Sequence, residues 1–281
     1  MEKNVTYLNS YLKVAATSGN VKAVKFLIDK GADVHVDNED PLMLAVVTGQ
    51  LDIIKILLEN GANIHIDNDR PLSNAAYNGK LEVIKLLIEK GANINANNGY
   101  ALSLAASNDK IEVVKYLLEK GAKINMKGNN ALIYAARSDN FEIIKFLVEN
   151  GADIHVNNEE VLNCAIKKND NLELVQFLVE NGANVNGNDN SILKQAVSFE
   201  NINIVDFLVK CNISNESLNK ALIEAVNVKN CELTKLLLEH GADIYSYDSY
   251  VLKEAAKNKD IKIMEVLLYY LVWVYVKENS F

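Results

Sequence analysis

The chain repeats itself about every 30 residues, nearly from end to end. A Gly-Ala-polar-hydrophobic phrase, its third residue mostly Asp or Asn, recurs at Gly31, Gly61, Gly91, Gly121, Gly151, Gly182 and Gly241. A stretch such as LDIIKILLEN, LEVIKLLIEK or FEIIKFLVEN precedes it. A fixed period of this size means stacked supersecondary units, each packing on its neighbours, rather than one globular core. The usual length prior of one or two compact domains therefore does not apply to these 281 residues, and a single repeat domain spanning 1–281 is expected.

The segment 40–68 shows the unit. Asp40 suits an N-cap, and Pro41 stands where proline is tolerated, at the first helical position. Leu42 and Ala45 share one face of a short helix that Gly49-Gln50 ends. A second helix runs from Leu51 to about Asn60, with Leu51, Ile54, Leu57 and Leu58 at helical apolar spacing. Gly61 supplies the left-handed residue that closes it, and a short extended piece from Asn63 to Asp67 leads onward.

The same frame predicts nine helix pairs, with first helices starting near Tyr11, Pro41, Pro71, Tyr100, Asn130, Val161, Ile192, Ala221 and Val251. Residues 1–10 are left as an N-terminal segment, repeats run from about 11 to 270, and 271–281 form an apolar tail. One small residue is kept in every first helix: Ala15, Ala45, Ala75, Ala105, Ala135, Ala165, Ala196, Ala225 and Ala255. It lets neighbouring helices approach toward the short end of the roughly 8–10 Å packing range. Asn212 replaces the glycine in the seventh unit and is expected to take the same left-handed cap. The sixth unit carries an extra residue near Lys167-Lys168.

The run P-L-x-x-A, a turn, then LEVIKLLIEKGANIN resembles the ankyrin repeat over essentially the whole chain. The likeness is specific in the second helix and the Gly-Ala phrase. It departs from the pattern in two places. Only Pro41 and Pro71 survive of the Thr-Pro-Leu-His tetrapeptide, and each unit is about three residues shorter than the usual 33. The loss falls in the hairpin finger, leaving stubs such as Asp67–Arg70, Asn97–Tyr100 and Lys127–Asn130. Thirty-residue, Asn-rich units are similar to the ankyrin proteins abundant in giant amoebal DNA viruses of the mimivirus kind. The bias to Asn, Lys and Ile fits the same A/T-rich source. The resemblance implies an all-α fold, an α-solenoid with very short or absent β-hairpin fingers, and a non-enzymatic scaffold that binds a protein. In that family the finger tips and first helices line the concave, partner-binding side.

Composition narrows the function further. A net charge of −8 argues against nucleic acid, whose phosphates call for clustered Lys and Arg. Cys164, Cys211 and Cys231 show no metal or redox spacing, which suits free thiols in a reduced compartment. The opening MEKNVTYLNS lacks a secretory pattern, so a cytoplasmic protein is expected, in the host cell if the source is viral. His35, His65 and His155 share one repeat position, and His240 precedes Gly241. Equivalent residues in adjacent units lie roughly 8–10 Å apart, whereas atoms ligating one zinc ion sit only about 3–4 Å from each other. The histidines are therefore expected to hydrogen-bond, not to hold a metal. The glutamate column (Glu59, Glu89, Glu119, Glu149, Glu239) and the lysine column four residues before it read as a solvated face. No nucleophile, phosphate-loop or dinucleotide motif appears, so no catalytic residue and no cofactor are expected.

The partner surface is expected where units differ while packing positions stay constant: the stub fingers and the two residues closing each first helix. Those pairs include Tyr77-Asn78, Ser107-Asn108, Arg137-Ser138 and Lys168-Asn169. The chain's two arginines, Arg70 and Arg137, fall on this surface with Tyr77 and Tyr100 between them. Arg and Tyr are enriched in binding hot spots, so these four form the expected central patch, flanked by Asn78, Ser107, Asn108 and Ser138. The last unit ends in LLYYLVWVYVKENSF, too short an apolar run for the roughly 20 residues of a membrane span. It reads as a core-covering cap. The alternatives are a patch for self-association around Trp273, and a membrane-apposed structural role. The resemblance adds a third, an adaptor for a ubiquitin ligase.

Overall fold

The computed structural model describes residues 2–128, 130–167 and 171–278. Among them the chain is helical throughout, without strands, and its helices pack as repeats of an α-solenoid. Two compact units result, 1–152 and 153–281. The first holds α1 (Glu2–Ser18), α2 (Val21–Asp29), α3 (Val36–Thr48), α4 (Leu51–Glu59), α5 (Ile66–Tyr77), α6 (Leu81–Glu89), α7 (Ala96–Ser107), α8 (Ile111–Glu119), α9 (Ala131–Arg137) and α10 (Phe141–Glu149). The second holds α11 (Val156–Lys167), α12 (Leu172–Glu180), the short α13 (Gly187–Asn190), α14 (Ile192–Ser198), α15 (Ile202–Val209), α16 (Asn215–Asn227), α17 (Cys231–Glu239), α18 (Ser246–Asn258) and α19 (Ile261–Glu278).

In the first unit α1, α3, α5, α7 and α9 stack in sequence, as do α14, α16 and α18 in the second. The alanine column lies at these contacts. Every member is buried, and seven of the nine have no exposure at all. The second helices bury the apolar stripe that their spacing predicts, such as Ile53, Ile54 and Leu57 on α4. Glycines at the predicted ends are left-handed, Gly61 at φ 95° for instance. Outward, Lys85 pairs with Glu82 at 2.6 Å and Lys115 with Glu112 at 3.0 Å, the i, i+3 pairs of a solvated face.

The connections depart from the sequence reading. The segment from Asn63 is not extended. In the Gly-Ala phrase the Asp or Asn side chain accepts the N–H two residues on: Asp33 from His35 at 2.9 Å, Asn63 from His65 at 2.9 Å, Asp153 from His155 at 3.0 Å. This is an Asx turn, the reason that short carboxyl or amide side chains recur there. Three consecutive left-handed residues follow. They are Asp37, Asn38 and Glu39 at φ 50°, 61° and 68°, and the same occurs at Asp67–Asp69, Asn97–Gly99, Asn157–Glu159 and Tyr247–Ser249. The stub finger is a left-handed turn, closed by bonds such as Gly99 N–H to Asn95 O at 3.2 Å.

Three boundaries also move. α1 begins at Glu2, so residues 2–10 belong to the first helix instead of preceding it. α16 begins at Asn215, well before Ala221, because Ser214 caps it by accepting the Ser217 N–H at 3.1 Å. Asn212 does not take the left-handed cap. α15 stops at Val209, and a tight turn from Ile213 N–H to Cys211 O at 2.7 Å makes the reversal instead. The inserted position at Lys168, and with it Lys168-Asn169, lies outside the described residues.

Candidate functional site

Arg70, Tyr77 and Tyr100 line one groove of about 400 Å³ in the first unit. Repeat register brings them together. Arg70 directly follows the left-handed turn of Asp67–Asp69, Tyr77 ends α5, and Tyr100 follows the next such turn, one repeat on. Asp67, Asn68, Ser73, Asn74, Asn97 and Leu104 complete the lining, giving carboxylate, hydroxyl and amide groups beside an apolar side chain.

Asp67 Oδ2 lies 2.9 Å from Arg70 Nη1, which orients the guanidinium and offsets its charge. Both partners are nearly half exposed, so the bond positions more than it stabilises. Tyr77 is 50% exposed, which leaves its ring open on the groove. Tyr100 meets Tyr134 edge to face, ring centroids 6.4 Å apart at 77°. Tyr134 stands on α9, the helix that ends at Arg137, and so carries the aromatic row toward that exposed arginine. Tyr134 is not among the residues expected in the patch. Its signal was present: the first-helix column Val14, Leu44, Asn74, Leu104, Tyr134 varies as freely as the closing pairs do.

The remaining named residues do other work. Asn78 Nδ2 donates to Asn74 O at 2.8 Å and Asn108 Nδ2 to Leu104 O at 2.8 Å, which ties off the ends of α5 and α7. Ser107 Oγ donates to Leu104 O at 3.2 Å. Ser138 closes α9 through its backbone N–H. None of these four, nor Arg137, lines the groove.

The repeated histidines form a second constellation. His35 Nδ1 lies 2.5 Å from Glu39 Oε1, His65 Nδ1 3.0 Å from Asp69 Oδ1, and His155 Nδ1 2.6 Å from Glu159 Oε1. Each pair spans a left-handed turn, with the acid buried and the imidazole more than half exposed. The hydrogen bond to Glu39 holds His35 above the ordinary imidazole pKa, opposed by desolvation and helped by the Glu39 and Asp33 charges. Asp69 also accepts the Asn93 N–H of the next unit at 2.9 Å. Where Asn stands in place of His, the amide makes that inter-unit link itself. Asn95 accepts from Lys123 N–H at 2.8 Å, and Asn186 accepts from Ser214 N–H and donates to Asn212 O, both at 2.8 Å. The ladder is a set of structural clasps.

At the other end, α19 covers part of the last unit. Tyr270, Leu271 and Val274 lie beside the turn Gly241–Tyr245, while Leu268, Tyr269, Val272, Trp273 and Val276 face outward. On this side Tyr270, Leu271 and Val274 cover the turn, and the opposite side of α19 is open to solvent. Among the described residues, no helix is long and apolar enough to cross a membrane.

No curated protein sequence matches the chain. The family model for ankyrin repeats (three copies) matches residues 3–68, 72–158, 155–219 and 193–275. That match covers most of the chain and coincides with the alanine columns and glycine-capped helix pairs. The chain belongs to the ankyrin-repeat family.

Proposed function

We propose that this protein is a non-enzymatic scaffold that binds a partner protein through the groove between α5 and α7. Ankyrin repeats generally mediate protein–protein contacts, and proteins built from them are typically scaffolds without catalytic activity. The observation that carries the reading is the convergence of Arg70, Tyr77 and Tyr100 on one groove, with Tyr77 exposed and Arg70 already oriented by Asp67. Rigid rings beside a pre-positioned guanidinium make a hot spot at low entropic cost. Tyr134 and Arg137 extend the contact surface along α9. The likeness of the short, Asn-rich units to giant-virus repeats supports a cytoplasmic site of action, in the host cell if the source is viral.

A photo-crosslinking residue at Tyr77, with one at the exposed Lys55 on α4 as control, identifies the partner by mass spectrometry. Alanine at Arg70, Tyr77 or Tyr100 should then weaken its binding by about 5- to 30-fold, the equivalent of ~1–2 kcal/mol each, without lowering the melting temperature. Full affinity in all three variants would refute the assignment. The outward apolar face of α19 supports a second reading, self-association through the tail. Sedimentation of the chain with and without residues 271–281 separates the two.

A further inference from the structure

The groove between α17 and α19 lacks a ring that two of its counterparts in the first unit hold. In those two, a lysine of one second helix lies over a ring of the next. Lys85 Nζ is 5.9 Å from the Tyr116 ring centroid, and Lys115 Nζ is 6.0 Å from that of Phe146. Both rings are half-buried, so each fills its groove while the ammonium rests on the ring face.

The same register in the second unit sets Lys235 against Val266. Valine has no ring, and the groove opens into a cavity of about 720 Å³, within the range of sites that enclose small ligands. Lys235, Leu238, Val266, Tyr269, Tyr270 and Trp273 line it. Leu238 is 1% exposed and forms a dry floor. Tyr270 and Trp273 stand with ring centroids 5.8 Å apart, tilted by 31°. Lys235 and Lys262 on the rim are balanced by Glu239 and Glu265. The rim therefore selects neither an anion nor a cation. It suits a neutral group whose π face can meet an ammonium.

We propose that this groove is a second binding site and takes an aromatic side chain of a protein partner, seated beneath Lys235 as Tyr116 sits beneath Lys85. The site shares no residue with the α5–α7 groove, so either assignment can fail without the other.

Trp273 is the chain's one tryptophan and lines this cavity, so its fluorescence responds to what enters it. The probe is N-acetyl-phenylalaninamide, titrated into the full chain, with N-acetyl-leucinamide as the aliphatic control. A saturable change with the phenyl probe, several-fold weaker with the leucyl one, is expected. Val266→Phe supplies the missing ring and should abolish the response while leaving the far-UV spectrum and melting intact. Lys235→Met keeps the stem without the charge and should erase the phenyl-over-leucyl preference, a readout that does not depend on how Val266→Phe folds. The proposal is overturned by no saturable response, by equal responses to both probes, or by a response kept in folded Val266→Phe. It is overturned also if sedimentation shows a dimer whose second copy already fills the groove.

Discussion

Gly187 tests the account of the turns at one atom. It opens the turn after α12 and is buried, with a φ outside the left-handed region. On backbone grounds alone, Gly187→Ala should stabilise the chain by about 0.4–1 kcal/mol by restricting the unfolded state. The surroundings reverse that sign. A Cβ at 187 would stand 2.3 Å from Glu159 Cγ and 3.2 Å from its Cβ, the stem of a buried side chain rather than a flexible tip. Glu159 must move, and its 2.6 Å bond to His155 goes with it. Overpacking costs ~1–3 kcal/mol and a charge-assisted hydrogen bond contributes ~1.5–3 kcal/mol. The net expectation is a loss of roughly 1.5–5.5 kcal/mol after the backbone gain is subtracted.

The first unit holds the mirror arrangement. Gly99 occupies the position of Glu159, and the space that its Cβ would enter is taken by Met126, whose Cγ would lie 3.2 Å away. Met126 is the register equivalent of Gly187. Glu159→Gly combined with Gly187→Met therefore transplants one solution onto the other. The double variant should exceed Gly187→Met alone in stability by about 1 kcal/mol or more, within the usual coupling of touching residues. Urea denaturation followed by far-UV circular dichroism measures both quantities. Amide exchange over 156–191 shows whether the loss is local, since stacked repeats can open in parts. An ordinary Gly→Ala gain, or a double variant no better than the single one, refutes the steric argument.

Three further outcomes follow from the same connections. The His35 pKa is raised in the folded state, so its contribution is complete below the ordinary value near ~6.5 and fades as pH rises through the higher folded value. Denaturant midpoints should fall from about pH 6 to about pH 9, and His35→Gln should flatten that slope; an unchanged slope counts against the clasp. Tyr247 sits left-handed at φ 49° while 51% exposed, where the other turns use Asp or Asn. Tyr247→Asn should raise stability by ~0.5–1 kcal/mol in the same denaturation assay, and a loss would mean that the ring packs usefully. Ser214→Ala removes the α16 cap and a 2.9 Å bond to Asn190 Oδ1, and should cost ~1 kcal/mol, with faster amide exchange at Ser217 as its local sign.

What could be read from the sequence, and what could not, follows from where the physics is periodic. The alanine column, the capping glycines and the apolar stripes each repeat a packing demand, and they placed the helix pairs correctly. α1 escaped because residues 2–10 precede the repeat frame and carry only a sparse apolar face, Val5 and Leu8 leading into the buried Leu12. Val5 and Tyr7 are exposed, and the helix is extended from the packed residues downstream. Asn212 misled because tolerance of a conformation is not a requirement for it. The left-handed turns were hidden for a deeper reason. One such residue costs an L side chain roughly 1–2 kcal/mol, so three in succession lie outside any pattern built on helices and strands. They persist because an Asx bond fixes the entry and a His–acid pair or an Asn bridge fixes the exit. Asn and Asp, the residues that bear left-handed φ at least cost, then fill the positions between. The abundance of Asn in this chain thus has a structural cause beside any bias of its genome. The candidate groove was legible for the same reason as the core: register turns a 30-residue offset into adjacency, which set Tyr100 beside Arg70 and Tyr77. Tyr134 was missed because it belongs to no closing pair. Its column lies within the first helix, where a ring reads as one more packing residue until the edge-to-face contact with Tyr100 is seen.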